Sequence, residues 1–204
     1  MQCSKETKLL NTVCVLFVLL AGITRLLGRH YKSFGCNGVI LAFFTAAILI
    51  WIFQIQRRLM QVHVRRNLTV AAGMMIFWMA LRTVKYEFIA EGHIFTRYAW
   101  YLFYIPLIFI SLLLFLSVLH IGRPHNCSIS RWWNLLYIPS IILVFGIVTN
   151  DYHQLAFYFP NGISNWDDNS YQYGAVYYAV VVWLIVLFLA MLVFVFARCA
   201  VPAK

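Results

Sequence analysis

The chain has 204 residues, 63% of them hydrophobic and 11% charged, with a mean hydropathy of +0.81. A water-soluble particle of this size has too little polar surface to cover so much apolar material, so soluble domains are excluded and an integral membrane protein is implied. The formal net charge is +10, but the basic residues lie between hydrophobic runs and not in one patch. They read as topology signals and contacts to anionic lipid, and no nucleic-acid partner is expected.

A membrane helix needs about 20 mostly apolar residues. The first such run, about 9–27, contains Arg25, whose apolar stem lets the guanidinium reach the interface. Its basic start resembles a signal peptide, but no small-residue cleavage site follows, so it is read as a retained span. The second run is 39–56. The third, from Leu68, reaches spanning length only by continuing through Arg82 and Lys85 to about residue 90. Runs at 98–119, 132–150 and 171–197 complete the set. The predicted fold class is all-α: one polytopic membrane helix bundle over 1–204, with about six transmembrane helices.

Lys and Arg in short connections orient such a bundle. With the amino terminus inside, segments 1–8, 57–67, 120–131 and 198–204 carry ten basic residues against six on the other side. Both termini are therefore expected in the cytoplasm. Tyr98, Trp100, Tyr101 and Tyr104, then Trp132 and Trp133, and finally Tyr171, Tyr173, Tyr177 and Tyr178 sit where headgroups favour rings with a polar atom.

The five cysteines include no C-x-x-C pair. Cys14 lies in an apolar run, and Cys36 and Cys127 fall on opposite faces of this topology, so no disulfide framework is expected. Cys3 and Cys199 flank spans and are acylation candidates, with free thiols the simpler reading.

The strongest polar signal is "TNDYHQ" at the outer end of the fifth span. On a helix Asn150, His153 and Gln154 stand at i, i+3 and i+4 on one face, with Asp151 a quarter-turn away. Pro160 and Asn161-Gly162 predict a turn, and Phe157–Trp166 is expected to fold as a short hairpin lid. Convergent polar groups under an aromatic cover have the composition of a ligand pocket; the plain alternative is a helix end capped by its own side chains. A cation site from Asp151, His153, Asp167 and Asp168, with His93 or Glu91, matches no known ligand spacing, and no metal or cofactor is expected.

Arg82 and Lys85, three apart, form a charged membrane-edge pair: an anion site, a partner for Asp151, or an interfacial helix end. Arg57-Arg58 and Arg65-Arg66 read as a cytoplasmic anchor. "RYAWYLFYIPLIFI" at 97–110 and "RWWNLLYIPSIIL" at 131–143 share Tyr-Ile-Pro early in antiparallel spans. That is either a trace of an inverted repeat or aromatic anchoring followed by proline near a helix start. No G-x-S-x-G, no H-E-x-x-H and no phosphate-binding glycine loop occurs, so no enzyme is predicted.

Taken together, "RRLMQVHVRRNL", "FWMALRTVKY", "RYAWYLFYIP", "TNDYHQLAFYFPNG" and "SYQYGAVYYAVVVW" resemble the bacterial histidine kinase N-terminal seven-transmembrane (7TM) sensor region, from about Gln56 to Arg198. The resemblance implies a multi-pass input domain of a two-component system in the bacterial plasma membrane. It places a small extracellular ligand or other cue on one side and a cytoplasmic kinase or other output partner on the other. Its shared motif falls on Thr149, Asn150, Asp151, His153 and Gln154. Trp166 and Asp167 in the following loop, and Tyr173 and Tyr177 beside it, complete the candidate ligand-binding set. Relatives continue past "FARCAVPAK" into further spans and often a kinase module, whereas this chain stops at Lys204. The expectation is a truncated or minimal protein whose output comes from another chain; a homodimer is allowed. The expected mechanism is a population shift in the packing of spans five and six, with Pro139 and Gly146 providing a bend. The opposing readings are a small transporter or channel subunit, favoured by the repeat trace, and a non-functional fragment.

Overall fold

The computed structural model describes residues 5–31, 36–59, 61–89, 93–120, 130–163, 166 and 170–199. In chain order the elements are α1 (Lys5–Tyr31), α2 (Cys36–Arg58) and α3 (Val62–Thr83), the last extended by a single π-helical turn, Val84–Phe88. Then come α4 (Ile94–Leu102), α5 (Tyr104–His120), a 3-10 turn (Arg131–Leu136) leading into α6 (Tyr137–Val148), and α7 (Asn150–His153). Strands β1 (Phe157–Tyr158) and β2 (Gln172–Tyr173) precede α8 (Ala175–Cys199).

Among the described residues six helical stretches are long and apolar enough to cross a membrane: Lys8–Leu26, Asn37–Arg58, Val62–Phe88, Ile94–His120, Arg131–Val148 and Ala175–Ala197. This is the all-α polytopic bundle that the hydropathy implies. In hydrocarbon every backbone N–H and C=O must be satisfied within the segment, which leaves helices as the way for an open chain to cross. The third stretch starts at Val62 and not Leu68, because Arg65 and Arg66 are carried on helical stems. The sixth starts at Ala175 and not Tyr171, because Gln172 and Tyr173 are drawn into a strand.

The α4–α5 stretch is the axis of the bundle: 44% of its most apolar window is buried, against 6% for α1. It packs on α3, α6 and α8, while α2 packs on α3 and α1 packs chiefly on α2. Two aromatic-rich cores result. One surrounds Phe157 and contains Tyr101, Ile108, Ile147, Phe159 and Trp166. The other lies toward the opposite end, where Phe115, Trp133 and Phe194 meet with centroids 5.6 to 5.9 Å apart. Outside these cores the helices expose rows such as Ile138, Ile141, Ile142 and Phe145 on α6, a surface suited to lipid and not to water.

Pro106 and Pro139 each occupy the third residue of a helix, α5 and α6. There the missing N–H is one that the helix could not have used. Between α6 and α8 run Ser140 Oγ and Trp183 Nε1, which donates to it at 3.2 Å.

The hairpin is wider than expected. Phe157 pairs with Tyr173 and Tyr158 with Gln172, antiparallel, so the lid is the whole 157–173 segment and not 157–166. Trp166 lies inside it, against the core.

Candidate functional site

The site is built where α4, α7, the hairpin and the start of α8 meet. Thr149, at φ −88° and ψ 11°, breaks α6 from α7, and Gln154, at φ 50°, ends α7 in the left-handed region. These two joints turn the chain back over the bundle within a few residues.

Asn150 is completely buried, and its amide makes every bond it can. Oδ1 accepts from the N–H groups of Ala156 and Phe157, both at 2.9 Å, while Nδ2 donates to the Phe157 carbonyl at 2.9 Å and to the Tyr101 hydroxyl at 3.2 Å. An amide has two donors and two acceptor positions. Asn150 therefore acts as a strand partner for the start of β1, and reversing its amide would oppose donors to donors.

Asp151 is held from α4. Arg97 Nη2 donates to its Oδ2 at 2.7 Å, and the Tyr101 hydroxyl donates to Oδ1 at 2.8 Å. The pair is well enclosed, with side chains 5% and 14% exposed. Arg97 Nη1 also donates to the Ile163 carbonyl at 2.6 Å, fixing the far part of the hairpin. Arg97, Asp151, Tyr101 and Asn150 thus form one continuous polar network under the lid, in which each charge has its partner.

His153 Nδ1 accepts from Leu155 N–H at 2.9 Å, and Nε2 lies 3.3 Å from Thr149 Oγ1. Since Thr149 Oγ1 gives its own proton to the Phe145 carbonyl, the arrangement fits a neutral ring protonated at Nε2. Gln154 Oε1 accepts from Phe159 N–H at 3.3 Å. The four polar side chains of the motif are brought together: Asn150, His153 and Gln154 bond to their own loop or helix, and Asp151 bonds to α4.

The aromatic members pack around them. Trp100 contacts Phe157 at 4.2 Å and stacks on Trp166 at 6.4 Å. Tyr173 stacks on Tyr177 with centroids 4.0 Å apart, at the exposed rim of the hairpin. Asp167, and with it Asp168 and Glu91, lies outside the described residues. Among the described residues no three His, Cys, Asp or Glu side chains converge.

Gly174 joins this assembly to α8. Its N–H donates to the Ala156 carbonyl at 2.8 Å, and Val176 N–H donates to the Leu155 carbonyl at 3.0 Å. One of the unsatisfied donors at the start of α8 is thereby capped by the loop itself. A methyl group at residue 174 would stand 2.1 Å from the Leu155 oxygen, so only glycine permits the approach.

Arg82 and Lys85 face different neighbours. Arg82 lines a cavity between α1, α2 and α3. Lys85, in the π turn, is buried with Nζ 6.0 Å from the Trp166 ring and 5.0 Å from that of Tyr86. The partner of Asp151 is Arg97. Arg97 and Tyr101 are the residues that the sequence reading took only as a topology marker and an interfacial ring. Their spacing, i and i+4 on one helical face opposite the polar motif, is the signal that marks them.

Residues 38–203 match the family described as the N-terminal 7TM region of histidine kinase. The chain belongs to this family. The match spans most of the chain and all of the residues of the polar network, and it begins inside α2, so that α1 lies before it. The membership marks a multi-pass membrane region of the kind found at the N-terminus of histidine kinases. No curated protein and no solved structure matches the chain.

Proposed function

We propose that this member of the histidine kinase 7TM family is a sensory input domain in the bacterial plasma membrane, with both termini in the cytoplasm and the hairpin outside. The excess of basic residues in segments 1–8, 57–67, 120–131 and 198–204 supports that threading. A cue acting at the hairpin shifts the population between two packings of the lid, and α8 carries the change to a cytoplasmic kinase or other output partner, in a two-component manner.

The observation that carries this reading is mechanical continuity. The Arg97–Asp151–Tyr101–Asn150 network fixes the lid to α4 and α7, and the Gly174 and Val176 N–H groups fix the same lid to α8. With 25 residues rising about 1.5 Å each, α8 then runs about 37 Å toward the opposite end. In this scheme Asn150, Asp151, His153 and Gln154 are the latch that sets the resting state. Tyr173 and Tyr177, at the exposed rim, are the surface that a small external ligand would engage, with Trp166 packed in the core beneath them.

The test is a chimera in which a reporter histidine kinase follows the last span. Arg97→Ala and Asp151→Ala are expected to move basal kinase output per inserted molecule in the same direction, with output normalised to the amount in the membrane. Unaltered output from both variants would overturn the assignment.

A further inference from the structure

Because the polar side chains of the 150–154 motif are engaged by α4, the hairpin and their own turn, a buried ligand has to find room elsewhere. A cavity of about 830 Å³ lies between α1, α2 and α3, walled by apolar groups that include Val15, Ile48, Trp51 and Trp78. At the hairpin end it adjoins a smaller one of about 210 Å³, which has Asn37 and Thr83 in its wall. Arg25 and Arg82 line both, so two arginines stand where a small chamber with a few polar groups meets a long apolar one.

Among the described residues no Asp or Glu lines either chamber. The nearby Glu87 carboxylate accepts from Asn37 N–H at 2.8 Å. Among the described residues Arg25 and Arg82 make no hydrogen bond or ion pair. Guanidinium groups without a partner at the mouth of an apolar slot attract an anion, and a carboxylate or phosphate satisfies them with charge-assisted bonds.

The long chamber runs from Arg25 to Asn11 on α1, about 21 Å at 1.5 Å per residue. One leaflet contributes only about half of a hydrocarbon core of about 30 Å. A slot deeper than a leaflet suits one extended chain better than the paired chains of a bilayer phospholipid. Its outer wall, α1, is the least buried of the six spans, so the slot opens sideways to lipid.

We infer that this slot binds a single-chain anionic amphiphile of the long-chain fatty acid class, its carboxylate between Arg25 and Arg82 and its chain along α1–α3. The slot stands on its own geometry. That its occupant is a second cue, beside one acting at the hairpin, rests on the sensory reading above.

The experiment uses the full chain in neutral-lipid nanodiscs and a brominated stearic acid, which quenches indoles on contact. Saturable quenching is expected, abolished in a Trp51→Phe, Trp78→Phe double variant. The uncharged methyl ester is expected to bind about tenfold or more weakly, and Arg25→Gln or Arg82→Gln to weaken the acid by a similar factor. Arg82→Lys, which keeps the charge, retains most of the affinity, and Ala47→Phe, which fills the slot, removes it. Equal binding of acid and ester, or full affinity in both glutamine variants, overturns the proposal. So does saturation of the slot by brominated phosphatidylglycerol, with no further quenching by the acid. A slot that binds the acid without moving output in the kinase chimera counts against the cue reading alone. A slot that fails to bind while hairpin variants still move output overturns the slot alone.

Discussion

Arg97 and Asp151, 54 positions apart in the chain, meet through a 2.7 Å bond between Nη2 and Oδ2 in a nearly dry site. Removing one member of such a pair strands the other charge, which typically costs about 3–5 kcal/mol, whereas replacing both by apolar groups is far milder. Asp151→Ala and Arg97→Ala are each expected to lower the thermal midpoint in detergent markedly. An Arg97→Leu, Asp151→Leu double variant recovers a large part of the loss. A double variant no more stable than either single one would contradict this account of the pair.

Asn150 tests the latch without a change of charge. Asn150→Ala removes four hydrogen bonds and leaves the Ala156 and Phe157 N–H groups without partners. At about 1–3 kcal/mol for each buried unsatisfied group, the lid should open well before the bundle unfolds. Limited proteolysis at the 159–163 turn reads this directly, with faster cutting expected in the variant and intact helices afterwards.

The two glycines of the lid make opposite predictions. Gly162 has φ +80° on an exposed turn with open space around it, so Gly162→Ala costs about 1 kcal/mol of backbone strain. Gly174→Ala drives a methyl group into the Leu155 backbone and separates the hairpin from α8. Hydrogen exchange at the amides of Gly162 and Val176 and at residue 174 distinguishes them. Strong loss of protection is expected at Val176 only in the Gly174 variant.

The membrane class and the six spans were legible because runs of apolar residues report directly on solvation by lipid, and so was the clustering of Asn150, Asp151, His153 and Gln154. What each of those side chains touches was not. Helical spacing places side chains on faces, but the breaks at Thr149 and Gln154 turn α7 back on its own loop, and single-residue dihedrals carry little sequence signal. The register of β1 with Gln172 and Tyr173 escaped for a related reason: two-residue strands have no alternation to read, and the partner lies across a long loop. Arg82 and Lys85 stand about 60° apart around the helix, which is enough to direct one to the α1–α2 side and the other toward Trp166.

Between α6 and α8 the Trp183–Ser140 bond predicts a modest effect. Polar pairs between membrane helices average about 0.6 kcal/mol, so Ser140→Ala should shift the indole emission of Trp183 while barely moving the thermal midpoint. A large stability loss would mean that the contact of these two helices depends on the hydroxyl more than on packing.

The central claim is that the hairpin end meets the exterior and the opposite end the cytoplasm. It is tested most directly by an impermeant maleimide applied to intact cells carrying Asn161→Cys or His63→Cys in a background with the native cysteines replaced by serine. Labelling at position 161 and protection at position 63 are the predicted result. Labelling at 63 with protection at 161 would turn the protein over in the membrane and contradict the account.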